Sequence, residues 1–362
     1  MKILEISRSY YPSVGGLEQF LENRFNIYDA LGCDYQLITT KYSTGKFDYT
    51  KTNSKTVFLD EYTPYNITPA LKKHLTKDYN LVSVNQVGRY FSDYTINYYH
   101  KKIPVLLTPH FTFHTGRYSF IKKIFSRLFL KNILNKADRI IAFTDFEKKY
   151  WMNHFNIPDD KIEVIPHYIN VKNESDDSTD ENYLLYLGRY DKNKRIDLLL
   201  ESFSQNPKWK INLVMTVNKN EIPAGLLNKI INDKRIHLAG YVNEIEKKNL
   251  LRKCSALMYP SSFEAFGYSL LEASLHAKPV LCSNLEVFQE IICSEGAMRF
   301  ENNVPDIKRV IDDFLVLSPM KKKEMGEMNL SNLSRFTYEK NCEQYNRVLV
   351  KLLNKSFCEN FK

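Results

Sequence analysis

The sequence predicts an α/β protein built as two domains, and three observations carry that expectation. Short apolar strand candidates alternate with helix-like stretches along the chain, a pattern that layers helices against sheets. The length of 362 residues suits two domains, and a hydrophobic content of 43% is ample for two cores. The run VKNESDDSTDEN, from Val171 to Asn182, is polar, acidic and nearly free of large apolar side chains, so it separates two series of elements.

In the first series the strand candidates are 2–6, 35–39, 56–59, 81–84, 105–108, 139–143 and 162–165. The helix candidates include 17–31, 93–100, 120–135 and 146–155. The second series runs strand 183–187, helix 196–204, strands 210–215 and 236–239, helix 242–253, strand 256–259, helix 267–275 and strand 280–282. A helical tail covers about 337–353. The expected domains are 1–172 and 182–337, with 173–181 as linker. The DDSTDE run lacks the Asp-x-Asp spacing of a metal-binding pair and follows no buried strand, so it reads as linker.

Charge and cysteine usage narrow the function classes. No run of eighteen apolar residues exists, so no transmembrane helix is expected, and the opening MKILEISRSYYP is too short an apolar block for a signal peptide. The six cysteines are scattered without a C-x-x-C pair and read as reduced residues of a cytoplasmic protein. A net charge of +9 suits nucleic acid, an anionic membrane or phosphorylated small molecules. From Tyr94 to Ala137 there is no Asp or Glu, while Lys122, Lys123, Arg127 and other cations accumulate. Within that stretch SFIKKIFSRLFLKNILNKA sets Phe120, Ile121, Ile124, Phe125, Leu128, Phe129 and Ile133 on one helical face. Two readings stand: docking on an anionic membrane surface, or a helix packed on its own sheet with a basic outer face. The stretch carries no RNA- or DNA-binding motif, so nucleic acid is not an expected partner.

The most informative segment is SSFEAFGYSLLEASLHAKPV, 261–280. Glu264 and Glu272 stand eight positions apart, with Phe266-Gly267 between them at the expected helix start. Eight residues of helix span about 12 Å, too far for two carboxylates to share one proton or metal, but suited to gripping two ends of an elongated ligand. On spacing alone the same residues also describe a solvated helix with two surface glutamates. Further signals lie elsewhere. SRSYYPSVGGLEQF puts Gly15 and Gly16 in a tight loop between the first strand and the first helix, where glycines permit positive φ and backbone N–H groups can approach a phosphate or sugar. YLGRYDKNKR places Arg189 and Lys194 after the first strand of the second series, and LLTPHFTFHTG places His110 after a buried strand. His110 and His114 share i,i+4 spacing, but the segment reads as loop and no Asp, Glu or Cys completes a ligand set, so no metal site is expected.

These motifs together resemble the family 4 retaining glycosyltransferases of the GT-B fold, and the resemblance covers nearly the whole chain. It implies two Rossmann-like parallel-sheet domains facing across a cleft, with the C-terminal helix, 338–362, crossing back to an acceptor-side N-terminal domain. The implied reaction moves a hexose from a nucleoside-diphosphate sugar to a saccharide or polyprenyl-linked or other lipid-linked acceptor, as in surface polysaccharide or glycolipid assembly. It implies no cofactor and no metal, since Arg189 and Lys194 would hold the diphosphate as leaving group. Glu264, with the Phe266 and Gly267 amides, would bind hexose hydroxyls, and Glu272 the ribose. Gly240-Tyr241-Val242 falls where the family holds the base, Tyr241 being read as packing more than stacking. His110 and Gly16 would approach from the other domain, completing the site when the cleft closes. The segment 284–291, with Glu290, resembles the family's closing loop, and retention would proceed by front-face departure with no carboxylate nucleophile.

The chain departs from the family pattern at four places. Arg195 stands where a glycine usually follows the lysine, Ala277 where one precedes Lys-Pro-Val, and His167-Tyr168 where Asn-Gly follows Ile-Pro. The glycine-rich turn after the second strand of the second domain is Thr216-Val217-Asn218-Lys219-Asn220. The alternatives are another nucleotide-sugar enzyme of the same fold, an epimerase or hydrolase, or a non-catalytic nucleotide-sugar-binding protein. The expected location is cytoplasmic, peripheral to the membrane if Lys122, Lys123 and Arg127 dock there.

Overall fold

The computed structural model describes residues 1–11, 15–41, 55–62, 67–110, 120–170 and 180–359, with side chains outside the description at 120–126 and 354–359. The chain divides into two compact units, Met1–Tyr168 with Tyr338–Lys362, and Ile169–Thr337. Of the expected linker, 173–179 lie outside the described residues.

The first unit runs β1 (Lys2–Ile6), α1 (Gly16–Ala30), β2 (Asp34–Thr40), β3 (Thr56–Leu59), α2 (Leu71–His74), β4 (Leu81–Asn85), α3 (Tyr90–Tyr99), β5 (Val105–Thr108), α4 (Phe120–Lys136), β6 (Arg139–Ala142), α5 (Asp145–Phe155) and β7 (Ile162–Val164). The second runs β8 (Tyr183–Tyr186), α6 (Ile196–Ser204), β9 (Asn212–Met215), α7 (Ala224–Asn232), β10 (Ile236–Leu238), α8 (Glu244–Lys253), β11 (Ala256–Tyr259), α9 (Tyr268–Leu275), β12 (Val280–Ser283), α10 (Glu286–Ile291), β13 (Ala297–Phe300), α11 (Val304–Leu315) and α12 (Pro319–Asn332). The last helix, α13 (Tyr338–Glu359), belongs to the first unit, where Asn341 Nδ2 donates to the Pro166 carbonyl at 2.7 Å.

Both sheets are parallel and doubly wound. The first has the order β3-β2-β1-β4-β5-β6-β7 and the second β10-β9-β8-β11-β12-β13. Strands buried on both faces read as continuous apolar runs, as in LVSVN of β4, ALMY of β11 and VLCS of β12. In each sheet the order reverses beside the first strand of its unit, and the crevice outside the strand C-termini at such a point is where doubly wound folds bind ligands. These are two Rossmann-like α/β domains. The helix over 286–291 corrects the expected closing loop: Val287, Phe288 and Ile291 give it an apolar face that packs inward.

Two departures from the family pattern explain themselves in the backbone. Ala277 has φ 49° and closes α9 with a Schellman pair, its N–H donating to the Ser274 carbonyl and the Lys278 N–H to the Ala273 carbonyl, each at 3.0 Å. Arg195 has φ 48° at the start of α6. Both are left-handed positions that a glycine fills without strain, so the pattern's glycines answer a backbone demand that this chain meets with other residues.

Candidate active site

The site in the second unit is built where β8 and β11 end. Beyond β8 the Gly188 N–H donates to Thr216 Oγ1 at 3.0 Å, so the hydroxyl at the start of the altered turn after β9 holds the loop that leads to Arg189. The Arg189 carbonyl accepts from the Tyr186 hydroxyl at 3.1 Å, and its side chain is exposed. Asp191 then caps a short 3₁₀ turn, accepting from the Asn193 N–H at 2.8 Å. That turn delivers Lys194 to Glu264 as an ion pair, with Tyr259 Oη 3.4 Å from the ammonium.

Glu264 lies in the loop between β11 and α9, so Glu264 and Glu272 do not share one helix. Its Oε1 accepts from Lys194, from the Tyr259 hydroxyl at 2.9 Å and from Ser261 Oγ at 2.8 Å. The loop is pinned in turn. The Ser262 N–H donates to the Asn193 carbonyl at 2.7 Å, and the Ser261 carbonyl accepts from the Ser283 hydroxyl and from Asn302 Nδ2 at 3.2 Å. Burial and the neighbouring Glu264 hold the Tyr259 phenol well above its usual range, so it remains a donor. The Lys194 and Glu264 side chains keep 21% and 14% of their surface exposed, which leaves the pair reachable by a ligand.

Glu272 projects from α9 and takes Lys247 of α8 at 2.6 Å, while the same ammonium reaches Glu244 at 2.9 Å. Burial pushes the Glu272 carboxyl up, and Lys247 offsets part of that rise. Each glutamate therefore has its own lysine. Gly267 begins α9 with φ 99°, and a Cβ there would come within 3.0 Å of Leu270 Cδ1 and 3.3 Å of Phe288 Cε1. Phe266 is buried, and Ser269 Oγ reaches the Leu187 carbonyl at 3.4 Å, tying α9 to the end of β8. Tyr241 is 67% exposed, which corrects the packing reading: it follows the left-handed Gly240 and turns outward, its hydroxyl on Glu221. Val242 is half-buried beside it.

In the first unit the two glycines stand at the entry to α1. Gly15 is extended, with φ 177°, and Gly16 is the first residue of α1, so neither uses a left-handed conformation. The positive end of α1 already has an anion, since the buried Glu18 lies in its first turn and accepts from the Ser9 hydroxyl. His110, two residues beyond β5, has φ 50° and sets its ring edge against Phe20 at 4.7 Å. Its Nε2 is 3.1 Å from Asn85 Oδ1. Burial, with His167 and Arg24 nearby, holds His110 well below the usual histidine range. His167, at one of the departures, is pushed down to about 3 by burial and by Arg24, its ring stacked on Phe143 at 4.1 Å.

Beneath His110 lies an ion pair that the motif reading missed. Arg24 Nη1 is 3.4 Å from Glu5 Oε1 and donates to Ser83 Oγ at 2.8 Å, while Nη2 donates to Thr108 Oγ1 at 2.8 Å and Tyr345 Oη at 2.7 Å. Glu5 accepts further from Tyr28 Oη at 2.8 Å, Ser83 Oγ at 3.1 Å and Asn85 Nδ2 at 2.5 Å. The signal was available: Glu5 interrupts the apolar strand KILEI, and a charge there has to find a buried partner. Lys247, Tyr259 and Ser261 were missed because a lysine on a polar helix and a tyrosine ending an apolar strand look ordinary in sequence.

On α4, Arg127 donates from Nε to the His154 carbonyl at 2.8 Å, and Leu128 and Phe129 are 63% and 44% exposed while Ile133 is buried. The expected single apolar face thus splits between solvent and core. The side chains of Lys122 and Lys123, and all of His114, lie outside the described residues. No helix among the described residues is long and apolar enough to cross a membrane.

Two family models match consecutive parts of the chain: Glycosyltransferase Family 4 over residues 14–173 and Glycosyl transferases group 1 over residues 169–330. The chain is 28% identical over 210 residues to the O-antigen chain mannosyltransferase RfbU of Salmonella typhimurium, covering 55% of this chain and 58% of that protein. It is 22% identical over 386 residues to the GDP-mannose:cellobiosyl-diphosphopolyprenol alpha-mannosyltransferase of Komagataeibacter xylinus, covering 99% and 95%. Among solved structures, sucrose-phosphate synthase from Thermosynechococcus elongatus superposes with a TM-score of 0.77 at 17% identity, covering 98% of this chain and 99% of that one.

Proposed function

The chain belongs to the family 4 glycosyltransferases of the GT-B fold, and on that premise we propose that it transfers mannose from a nucleoside-diphosphate sugar, GDP-mannose in the first instance, to a saccharide or lipid-linked acceptor in polysaccharide assembly. The observation that carries the reading is the Lys194–Glu264 pair at the C-terminal ends of β8 and β11, at the point where the strand order reverses, with Arg189 exposed on the same loop after β8. The mannosyl group is supported by the names of the two relatives, and the GDP-mannose donor and lipid-linked acceptor by the second of them.

In this reading Arg189 and Lys194 neutralise the diphosphate as it leaves, in place of a metal ion. Glu264 orients hexose hydroxyls, and Glu272, steadied by Lys247, takes the ribose. Glu264 Oε1 already accepts from three protein donors, which suits a fixed hydrogen-bonding group better than a nucleophile. Retention is therefore proposed to follow front-face departure, a leaving-group phosphate oxygen taking the acceptor proton. The base is proposed to sit by Gly240-Tyr241-Val242, and His110 to contact the donor sugar. A basic α4 with exposed Leu128 and Phe129 supports a peripheral position on an anionic, cytoplasmic membrane face.

A thermal-shift screen of GDP-, UDP- and ADP-sugars followed by an acceptor-dependent turnover assay tests the proposal. GDP-mannose should raise the melting temperature, and Arg189→Ala and Glu264→Ala should each lower turnover by about 100-fold or more. Near wild-type transfer by both variants would sink the site assignment. Sugar release without acceptor would reassign the chain to hydrolysis.

A further inference from the structure

We propose that Asn85 is a positioning residue that fixes the His110 imidazole as its Nε2–H tautomer, so that Nδ1 meets a hydroxyl of the donor sugar as a hydrogen-bond acceptor. The argument begins with the amide of Asn85, which is fully buried at the end of β4. Its Nδ2 lies 2.5 Å from Glu5 Oε1 and 3.0 Å from the Ile6 carbonyl. A carbonyl oxygen can only accept, and a carboxylate paired with Arg24 accepts as well, so the amide nitrogen must be on that side. Asn85 Oδ1 is thereby turned to His110 Nε2 at 3.1 Å, and an oxygen there requires the proton on Nε2.

The buried pair is what makes the arrangement one-way. Arg24 is itself held by Ser83, Thr108 and Tyr345, so Glu5 stays in place and the amide cannot reverse without facing two acceptors with an acceptor. Burial and the nearby Arg24 charge keep the ring neutral, which leaves Nδ1 a lone-pair acceptor. The left-handed backbone of His110 is a second sign that its placement is imposed by its surroundings. The sugar half of the inference rests on the reading of His110 as a donor contact.

The test joins spectroscopy to substrate analogues, using the full chain. Long-range ¹H–¹⁵N spectra of histidine-labelled protein should show His110 as the neutral Nε2–H tautomer from pH 6 to 8. An Nδ1–H tautomer or an imidazolium in the wild type would overturn the proposal without any variant. Asn85→Leu should give mixed tautomers and a fall in kcat of about tenfold with the KM for GDP-mannose within about twofold. An unchanged tautomer in that variant removes Asn85 from the role, and should the variant not fold, the wild-type spectrum and the analogue series still decide. Mono-deoxy and mono-deoxyfluoro analogues of GDP-mannose read the direction of the bond, since fluorine can accept weakly but cannot donate. At one hydroxyl position both analogues should lose about tenfold in kcat/KM, and His110→Ala should abolish that loss. A fluoro analogue that keeps wild-type kcat/KM where the deoxy analogue fails would make His110 a donor and overturn the proposal. Full turnover by His110→Ala on all analogues, with the Nε2–H tautomer intact, would instead locate the failure in the donor-contact reading and remove the sugar half.

Discussion

The two units each contain a charge pair near the ends of their central strands, and the two pairs are built for opposite ends. The Arg24 and Glu5 side chains are both 0% exposed, and the groups that hydrogen-bond them among the described residues, on Ser83, Asn85, Thr108, Tyr28 and Tyr345, are neutral hydroxyls and an amide. Lys194 and Glu264 keep 21% and 14% of their surface, and their loop is fixed from behind by Asn193, Ser283 and Asn302. A sealed pair recovers little of its desolvation cost, so its value is in what it orients. A half-open pair can exchange its partner for a phosphate or a hydroxyl without first unfolding its surroundings. Ionic contacts of similar composition are thus sealed in one unit and left partly open in the other, as the proposed donor site requires.

The strongest way to break the comparison is to cut each pair in turn. Arg24→Met leaves Glu5 buried without its cation and should cost about 3–5 kcal/mol in urea unfolding, most of it recovered in Arg24→Met with Glu5→Leu. A cost below about 1 kcal/mol for the single variant would mean that the sealed pair is not structural. Lys194→Met should do the reverse: stability should change by less than about 1 kcal/mol while turnover falls by about 100-fold or more. Equal damage to stability at both positions would dissolve the distinction.

Asp93 sharpens the contrast, because it is a buried carboxyl of the first unit with no role in the proposed donor site. It is 6% exposed, it accepts from the Gly88 N–H at 3.0 Å, and burial pushes its pKa up to about 7, with Gly88 and Arg89 opposing. Below about pH 4 it is protonated whether the chain is folded or not. Between about pH 4 and 7 the unfolded chain loses that proton and the folded one keeps it, so stability falls as pH rises through this window and levels off above it. Asp93→Asn should remove a pH-dependent change on the order of 4 kcal/mol over that window, read as Tm against pH. A slope unchanged by the substitution would show that the carboxyl is already ionised in the fold.

Sequence made the architecture legible where burial writes continuous apolar strands, as in LVSVN and VLCS, and where both sheets repeat that rhythm. It left α7, α11 and α12 unnamed, although Asn303 and Ser318 cap the last two and a proline stands in the first turn of each, which are local start signals. The charged residues of the second unit could be named because their spacing is local: Arg189, Lys194, Glu264 and Glu272 each sit within a short motif. Their partners could not, since Lys247 meets Glu272 across 25 positions and Arg24 meets Tyr345 across 321, and contacts of that separation leave no periodic trace. Gly15 and Gly16 were read as permitting a positive φ, and glycine permits that conformation without requiring it: Gly15 is extended and Gly16 opens α1.

The smallest expected effects return to the second unit and to the backbone around its site. Ala277→Gly should stabilise by about 0.5–1 kcal/mol, because the left-handed strain removed at φ 49° exceeds the entropy that glycine adds to the unfolded chain. Arg195→Gly should gain about 0.5 kcal/mol or less, since it also gives up the exposed contact between Arg195 and Asp197 at 3.3 Å. Gly326 is the control that should go the other way: a Cβ there would lie 1.7 Å from the Ala277 carbonyl oxygen, so Gly326→Ala should push α12 off the end of α9 and cost more than about 2 kcal/mol. Ala277 lies past the C-terminal end of α9, the end opposite the loop that carries Glu264, so turnover in Ala277→Gly should match wild type. If turnover dropped while Tm rose, the strain at Ala277 would belong to the half-open site and not to the scaffold beneath it.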